Sequence, residues 1–144
     1  MANITAFIAG QQAMEREANL KHVVSNFIDF TKTNAGASDT VELLRIPKGA
    51  LVTSLMVVIH TAAGGTSTMT VGDAGSANGY DASVNLNAAA KTLTKSAEAD
   101  AYGLAGRLYN DAEGIIFGTL SAHANAASKF TVIAEYLLSH HLPV

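Results

Sequence analysis

Asp73 and five histidines are the residues of this 144-residue chain whose types are best suited to chemistry. Asp73 heads a glycine-rich stretch, VGDAGSANGYDAS at 71–83, which also carries Asp81. Two carboxylates among residues small enough to turn carbonyls inward could hold a hard cation through oxygen. The calcium-loop pattern requires oxygen ligands at positions 1, 3 and 5 and glycine at 6. Counted from Asp73, those positions hold Asp73, Gly75, Ala77 and Asn78, so the pattern fails. Asp73, Asp81 and carbonyls remain the alternative cation site, and the plainer reading is a long strand connection with a tight backbone. The histidines are His22, His60, His123, His140 and His141, and no HExxH or other close ligand spacing joins them. His140 and His141 are adjacent, and neighbouring side chains of an extended chain point to opposite sides. His60 closes an apolar run and suits a polar strand cap. There is no GxSxG elbow, although a Ser–His–Asp set is defined by geometry rather than by order. The absence of cysteine removes thiolate catalysis, disulfides and zinc–sulfur sites. No catalytic residue, cofactor or metal is assigned, and the chain reads as a non-enzyme.

Composition supports a protein that works through its surface. Hydrophobic residues make up 49% and charged residues only 15%, with a net charge of −3. The usual charged share is about a quarter, so Ala, Gly, Ser, Thr and Asn must cover much of the exterior. A surface so neutral is best explained if part of it lies against partners. No basic stripe exists to neutralise phosphates, which argues against direct nucleic-acid binding. The N-terminus lacks the basic region and apolar length of a signal peptide. The longest apolar run, 51–59, is interrupted by Thr53 and Ser54 and is too short for a membrane span. Synthesis in the cytoplasm and a soluble product are expected.

The elements that must position these residues are strands. Residues 23–30, VVSNFIDF, carry β-formers on both parities. Residues 40–46 alternate, residues 51–60 are apolar on both faces, and residues 67–71 place Met69 and Val71 on one side. Val84 and Leu86 mark a short strand. Residues 93–102 read as helix or polar edge strand. Residues 107–109, 114–121 and 129–138 complete the set; in the last, Phe130, Val132, Ala134, Tyr136 and Leu138 share a face. Turn-forming residues fall between them at 34–36, 47–49, 64–65, 72–79 and 110–111. Seven to nine short strands so spaced predict an all-β, jelly-roll-like antiparallel β-sandwich. A single domain spans residues 21–144. Residues 1–20 form a separate N-terminal arm that allows at most a short helix over 11–20. The arm carries Ile4, Phe7, Ile8, Met14 and Leu20, and these are the expected contacts to a partner or a second copy.

The order Ile46-Pro47-Lys48-Gly49-Ala50, apolar strand, Gly64-Gly65, then VGDAG…GYDAS resembles small virion proteins of tailed bacteriophages. Over residues 40–138 it is similar to the capsid cement, or decoration, proteins of short-tailed phages, the Bordetella phage cement protein among them. The resemblance implies a jelly roll on the exterior of an icosahedral virion, made in the host cytoplasm. Its partner would be the major capsid protein, whose subunits it would bridge, and it brings no catalytic residues. Self-association is expected as a dimer, with a trimer as the alternative. The rival readings are a tail or fibre module that binds glycan or receptor, with Tyr80, Tyr102 and Tyr109 as its loop aromatics, and a small β-fold enzyme with a polar pocket.

Overall fold

The computed structural model describes residues 21–32, 35–96, 100–103, 105–121 and 127–138. Within them the chain forms nine strands and no helix: β1 (His22–Asp29), β2 (Thr40–Ile46), β3 (Ala50–Thr61), β4 (Thr68–Gly72), β5 (Asp81–Asn85), β6 (Leu93–Lys95), β7 (Arg107–Tyr109), β8 (Gly114–Leu120) and β9 (Lys129–Leu138). All pairings are antiparallel. One sheet, called A here, has the order β1-β9-β3-β6, with β7 also on β3; the other, sheet B, has the order β2-β8-β4-β5. Early and late strands nest in both sheets, as in a two-sheet jelly roll. The expected fold class is what forms. The arm, with its allowed helix over residues 11–20, lies outside the described residues.

Period-2 alternation puts one side of each sheet into the core. Val52, Leu55, Val57, Ile59, Phe130, Val132 and Ala134 are buried from sheet A, and Leu43, Leu44, Ile46, Met69, Val71, Ile116 and Leu120 from sheet B. Two register shifts let a strand change phase without losing its buried face. In β3 the shift between Val52 and Ser54 passes burial from even positions (Ala50, Val52) to odd ones (Leu55, Val57, Ile59). In β2 the shift between Glu42 and Leu44 buries Leu43 and Leu44 in succession. An extra residue in one strand of a pair has this effect. Part of the apparent two-faced hydrophobicity of residues 51–60 is therefore one face read across a bulge.

The ambiguous stretch at 93–102 resolves into an interrupted edge. Met56, Val57 and Val58 pair with β6, while Ala50, Leu51 and Val52 pair with β7. β6 and β7 thus run along the same edge of β3 as two pieces of one strand, and residues 100–103 between them form a turn outside the strand pairing. The chain returns through Gly106, whose φ of 74° is readily adopted only without a Cβ. This excursion carries Tyr102 to the rim of the sandwich.

Candidate functional site

Two regions stand out beyond the core. The first is a closed polar network around Asp73. β4 ends at Gly72, and the following loop folds back so that Asp73 N donates to Ser76 O at 2.9 Å and Tyr80 N to Val71 O at 2.9 Å. The excursion from the interrupted edge docks on this loop, with Tyr102 N donating to Gly79 O at 2.8 Å. Gly79 is required there: a Cβ would run into the Tyr102 ring.

Asp73 is only 3% exposed and accepts five hydrogen bonds. Oδ1 takes the N–H groups of Gly75 (2.9 Å) and Ser76 (3.0 Å) and the Tyr102 hydroxyl (2.9 Å). Oδ2 takes Arg107 Nε (2.8 Å) and the Tyr109 hydroxyl (2.9 Å). A carboxylate cannot donate, so the Tyr109 proton must point at Asp73. The Tyr80–Tyr109 hydroxyl contact of 2.8 Å then has Tyr80 as donor. The Arg107 guanidinium also lies over the rings of Tyr102 and Tyr109, at 5.1 and 5.3 Å.

Burial pushes the Asp73 carboxyl up. The hydrogen bonds from Arg107, Tyr102, Tyr109 and Ser76 outweigh it, and the net shift is below the ordinary value of 3.8. Burial, with the neighbouring Asp73 charge, raises Tyr80, Tyr102 and Tyr109 and keeps all three protonated. Five donors from three segments converge on Asp73, so this carboxylate acts as a clamp between the β4–β5 loop, the excursion and β7. It has no oxygen left for a hard cation. Asp81, the other carboxylate considered for such a site, accepts from Ser83 N at 2.8 Å, and burial raises its pKa, with Asp100 adding to the rise. Among the described residues no group of three or more His, Asp or Glu is placed to hold a metal ion.

Beside the clamp runs an open groove of about 530 Å³ between the Asp73 loop and the connection from β7 to β8, lined among others by Arg107, Glu113, Ile115 and Phe117. Nothing in it forms a nucleophile with an adjacent base.

The second region is the outer face of sheet A. Val23 (61%), Phe27 (54%), Leu93 (53%) and Leu108 (43%) are four of the five exposed large hydrophobic residues among those described. By register all four stand on this face: Val23 opposite Glu135, Phe27 opposite Thr131, Leu93 opposite Val58 and Leu108 opposite Leu51. Half-buried Met56, Val58 and Ile133 join them across the middle strands. His60 caps this face as expected, with Nε2 2.7 Å from Thr131 Oγ1 and its ring tilted on Phe27 at 5.6 Å. The outer face of sheet B differs. It carries Thr40, Thr70 and Thr119, and Arg45 bonds Glu42 at 2.6 Å and Glu113 at 3.4 Å. Its exposed large apolar residue is Ile115.

The fold has counterparts of known structure. A chain in the capsid of Ralstonia phage GP4 superposes with a TM-score of 0.63 at 16% identity, covering 84% of this chain and 86% of that one. A chain in the acidic stable capsid structure of Helicobacter pylori bacteriophage KHP30 gives 0.60 at 15%, covering 85% and 90%. A chain in the capsid asymmetric unit of cyanophage Pam1 gives 0.59 at 18%, covering 83% and 86%. These are phage capsid chains. At such identities the likeness is one of fold, and coverage this high in both directions means chains of nearly equal length. No protein-family model matches the chain, and no curated protein matches it in sequence.

Sequence-expected residues distribute unevenly over this structure. Ile4, Phe7, Ile8, Met14 and Leu20 lie outside the described residues. Tyr80 and Tyr109 are not loop aromatics held out to a ligand; they are buried, and Tyr102 is half-buried, with the Tyr102 and Tyr109 hydroxyls on Asp73 and that of Tyr80 on Tyr109. Sequence reasoning missed the Asp73 network and the apolar outer face. The face had a signal: Ile133 and Leu137 sit on the parity of β9 assigned to Thr131 and Glu135. The network had a weaker one, an Arg107-x-Tyr109 pair on a three-residue strand.

Proposed function

We propose that this protein is a structural component of a tailed-phage virion: a cement protein that binds the exterior of an icosahedral capsid and strengthens contacts between major capsid subunits. The observation that carries the reading is the near end-to-end superposition of this sandwich on equally short chains from three phage capsids. The low charge of the chain and the absence of a nucleophile with an adjacent base in the groove agree with a mechanical rather than chemical role. The buried tyrosines count against the glycan-binding alternative, whose aromatics would need to face solvent.

In this reading the arm grips a neighbouring subunit. Ile4, Phe7, Ile8, Met14 and Leu20 would each contribute about 1.5–3 kcal/mol on burial, against about 1–2 kcal/mol of ordering cost per backbone residue. The arm therefore holds only where a partner also satisfies its backbone. The protein itself acts as a dimer, with a trimer as the alternative.

The test is to add purified protein to capsids that lack it and determine the structure of the particles by electron microscopy. Density for the sandwich on the outer shell, bridging subunits, is expected. Deletion of residues 2–18 should leave the circular-dichroism spectrum and melting temperature unchanged and lower occupancy on the shell. Unbound protein at saturating concentration, or density confined to the tail, would sink the proposal. Full occupancy by the truncated protein would remove the arm from it.

A further inference from the structure

We infer that the outer face of sheet A is a self-association surface, on which a second copy of this chain packs sheet to sheet about a two-fold axis. The inference deepens the self-association proposed above by naming its surface.

Four of the five exposed large hydrophobic residues among those described share this one face, although the molecule has two sheets and two rims on which to scatter them. Scattered exposed apolar residues are ordinary, whereas a contiguous patch marks a contact. Met56, Val58 and Ile133 make the patch continuous from β1 to β6. The one ion pair bordering it, Lys21 Nζ to Glu135 Oε2 at 3.3 Å, is already closed within the molecule. The exposed cation of the face, Lys95 opposite Met56, stands on the edge strand β6, where its long stem lets the ammonium reach past the edge to water. Sheet B, with its threonines and its Glu42–Arg45–Glu113 cluster, offers nothing comparable.

Size selects the occupant. Strands about 4.8 Å apart, rising about 3.3 Å per residue, give this face roughly 20 by 30 Å. That planar footprint of about 600 Å² approaches the roughly 800 Å² that each partner contributes to a stable interface, because side-chain relief adds area. A single extended segment covers the width of one or two strands and would leave most of the patch wet. Another sheet covers all of it, at the spacing with which sheets stack in sandwiches. A two-fold axis needs a self-complementary surface, and a largely uncharged apolar face meets that condition.

The experiment uses purified full-length protein without capsids, so its failure would leave shell binding standing. Sedimentation equilibrium at tens of micromolar should show a dimer. The double substitution Val23→Asp with Phe27→Asp should weaken it at least about a hundredfold, since two carboxylates per copy would be buried unpaired. Ile115→Asp, on the other outer face, should leave it intact. Should the double variant lose its β-type circular dichroism, cysteine cross-linking decides instead, because the natural chain has no cysteine. Oxidised Met56→Cys should form an intermolecular disulfide and Thr119→Cys should not. A monomeric wild type overturns the inference, and so does a monomer that dimerises only when residues 2–18 are removed, which would make the arm the cover. Dissociation by Ile115→Asp, or the reverse cross-linking pattern, overturns it as well.

Discussion

The Asp73 clamp and the outer face of sheet A are opposite solutions to exposed chemistry. The clamp gathers a carboxylate, a guanidinium and three hydroxyls, groups that could each recognise a ligand, and turns the carboxylate and the hydroxyls on one another, with Arg107 Nε closing the set. The face gathers side chains with no recognition chemistry and leaves them unpartnered. Polarity therefore does not locate the working surface of this molecule. On the inference above, unpartnered surface does, and here that surface is apolar. The clamp should govern stability and leave association alone, and the face should do the reverse.

Asp73→Ala tests the first half most severely. It takes the acceptor from two hydroxyls, two backbone N–H groups and the part-exposed Arg107, and each buried polar group left unsatisfied costs about 1–3 kcal/mol. Urea unfolding should show that loss, while the folded fraction keeps the sedimentation behaviour of the wild type. Acid should imitate the substitution. The folded-state pKa of Asp73 is depressed, so its contribution is complete above the unfolded value of 3.8 and fades as pH falls through the lower folded value. Wild-type melting temperature should drop over that window by more than that of Asp73→Asn, which has no carboxylate there to titrate.

Smaller effects resolve the order of donors. Tyr109→Phe removes the donor to Asp73 and the acceptor of Tyr80 together, and leaving buried polar groups unsatisfied costs about 1–3 kcal/mol each. Tyr80→Phe removes only the outermost donor and should cost about 1 kcal/mol. Equal losses in chemical denaturation would mean that the hydroxyls are not arranged as a relay. Smallest of all, Phe27→Asp should change the stability of the monomer by about 0.5 kcal/mol or less, as surface substitutions do. A large destabilisation there would show that Phe27 belongs to the folding core and would erase the contrast between the two regions.

Most of the strands were legible because each repeats its pattern within a few residues. Met69 and Val71 announce β4, and Phe130, Val132 and Ala134 announce β9, from spacing alone. β3 was legible as a strand but not as a bulged one, since a phase change at Thr53 resembles hydrophobicity on both sides. Residues 93–102 were ambiguous for a physical reason: among the described ones only 93–95 form a strand, and 100–102 do not pair. The clamp was not legible, because Asp73 meets Tyr102 and Arg107 across 29 and 34 positions, a separation at which no local pattern survives. Asp73 and the three tyrosines were each noticed in the sequence, but as separate loop residues facing water.

The strand order also sets a schedule. β9 lies between β1 and β3, and β8 between β2 and β4, so an inner strand of each sheet is one of the last two among the described residues. A ribosome emits the chain from the N-terminus, and β1 emerges long before the strand it pairs with. Pairings between distant parts of a sequence also close slowly. Neither sheet can form its centre until the strand after Gly114 has left the exit tunnel. Folding of either sheet therefore waits for β8 and β9. A chain cut short before Gly114 leaves β1 and β2 without the strands they pair with.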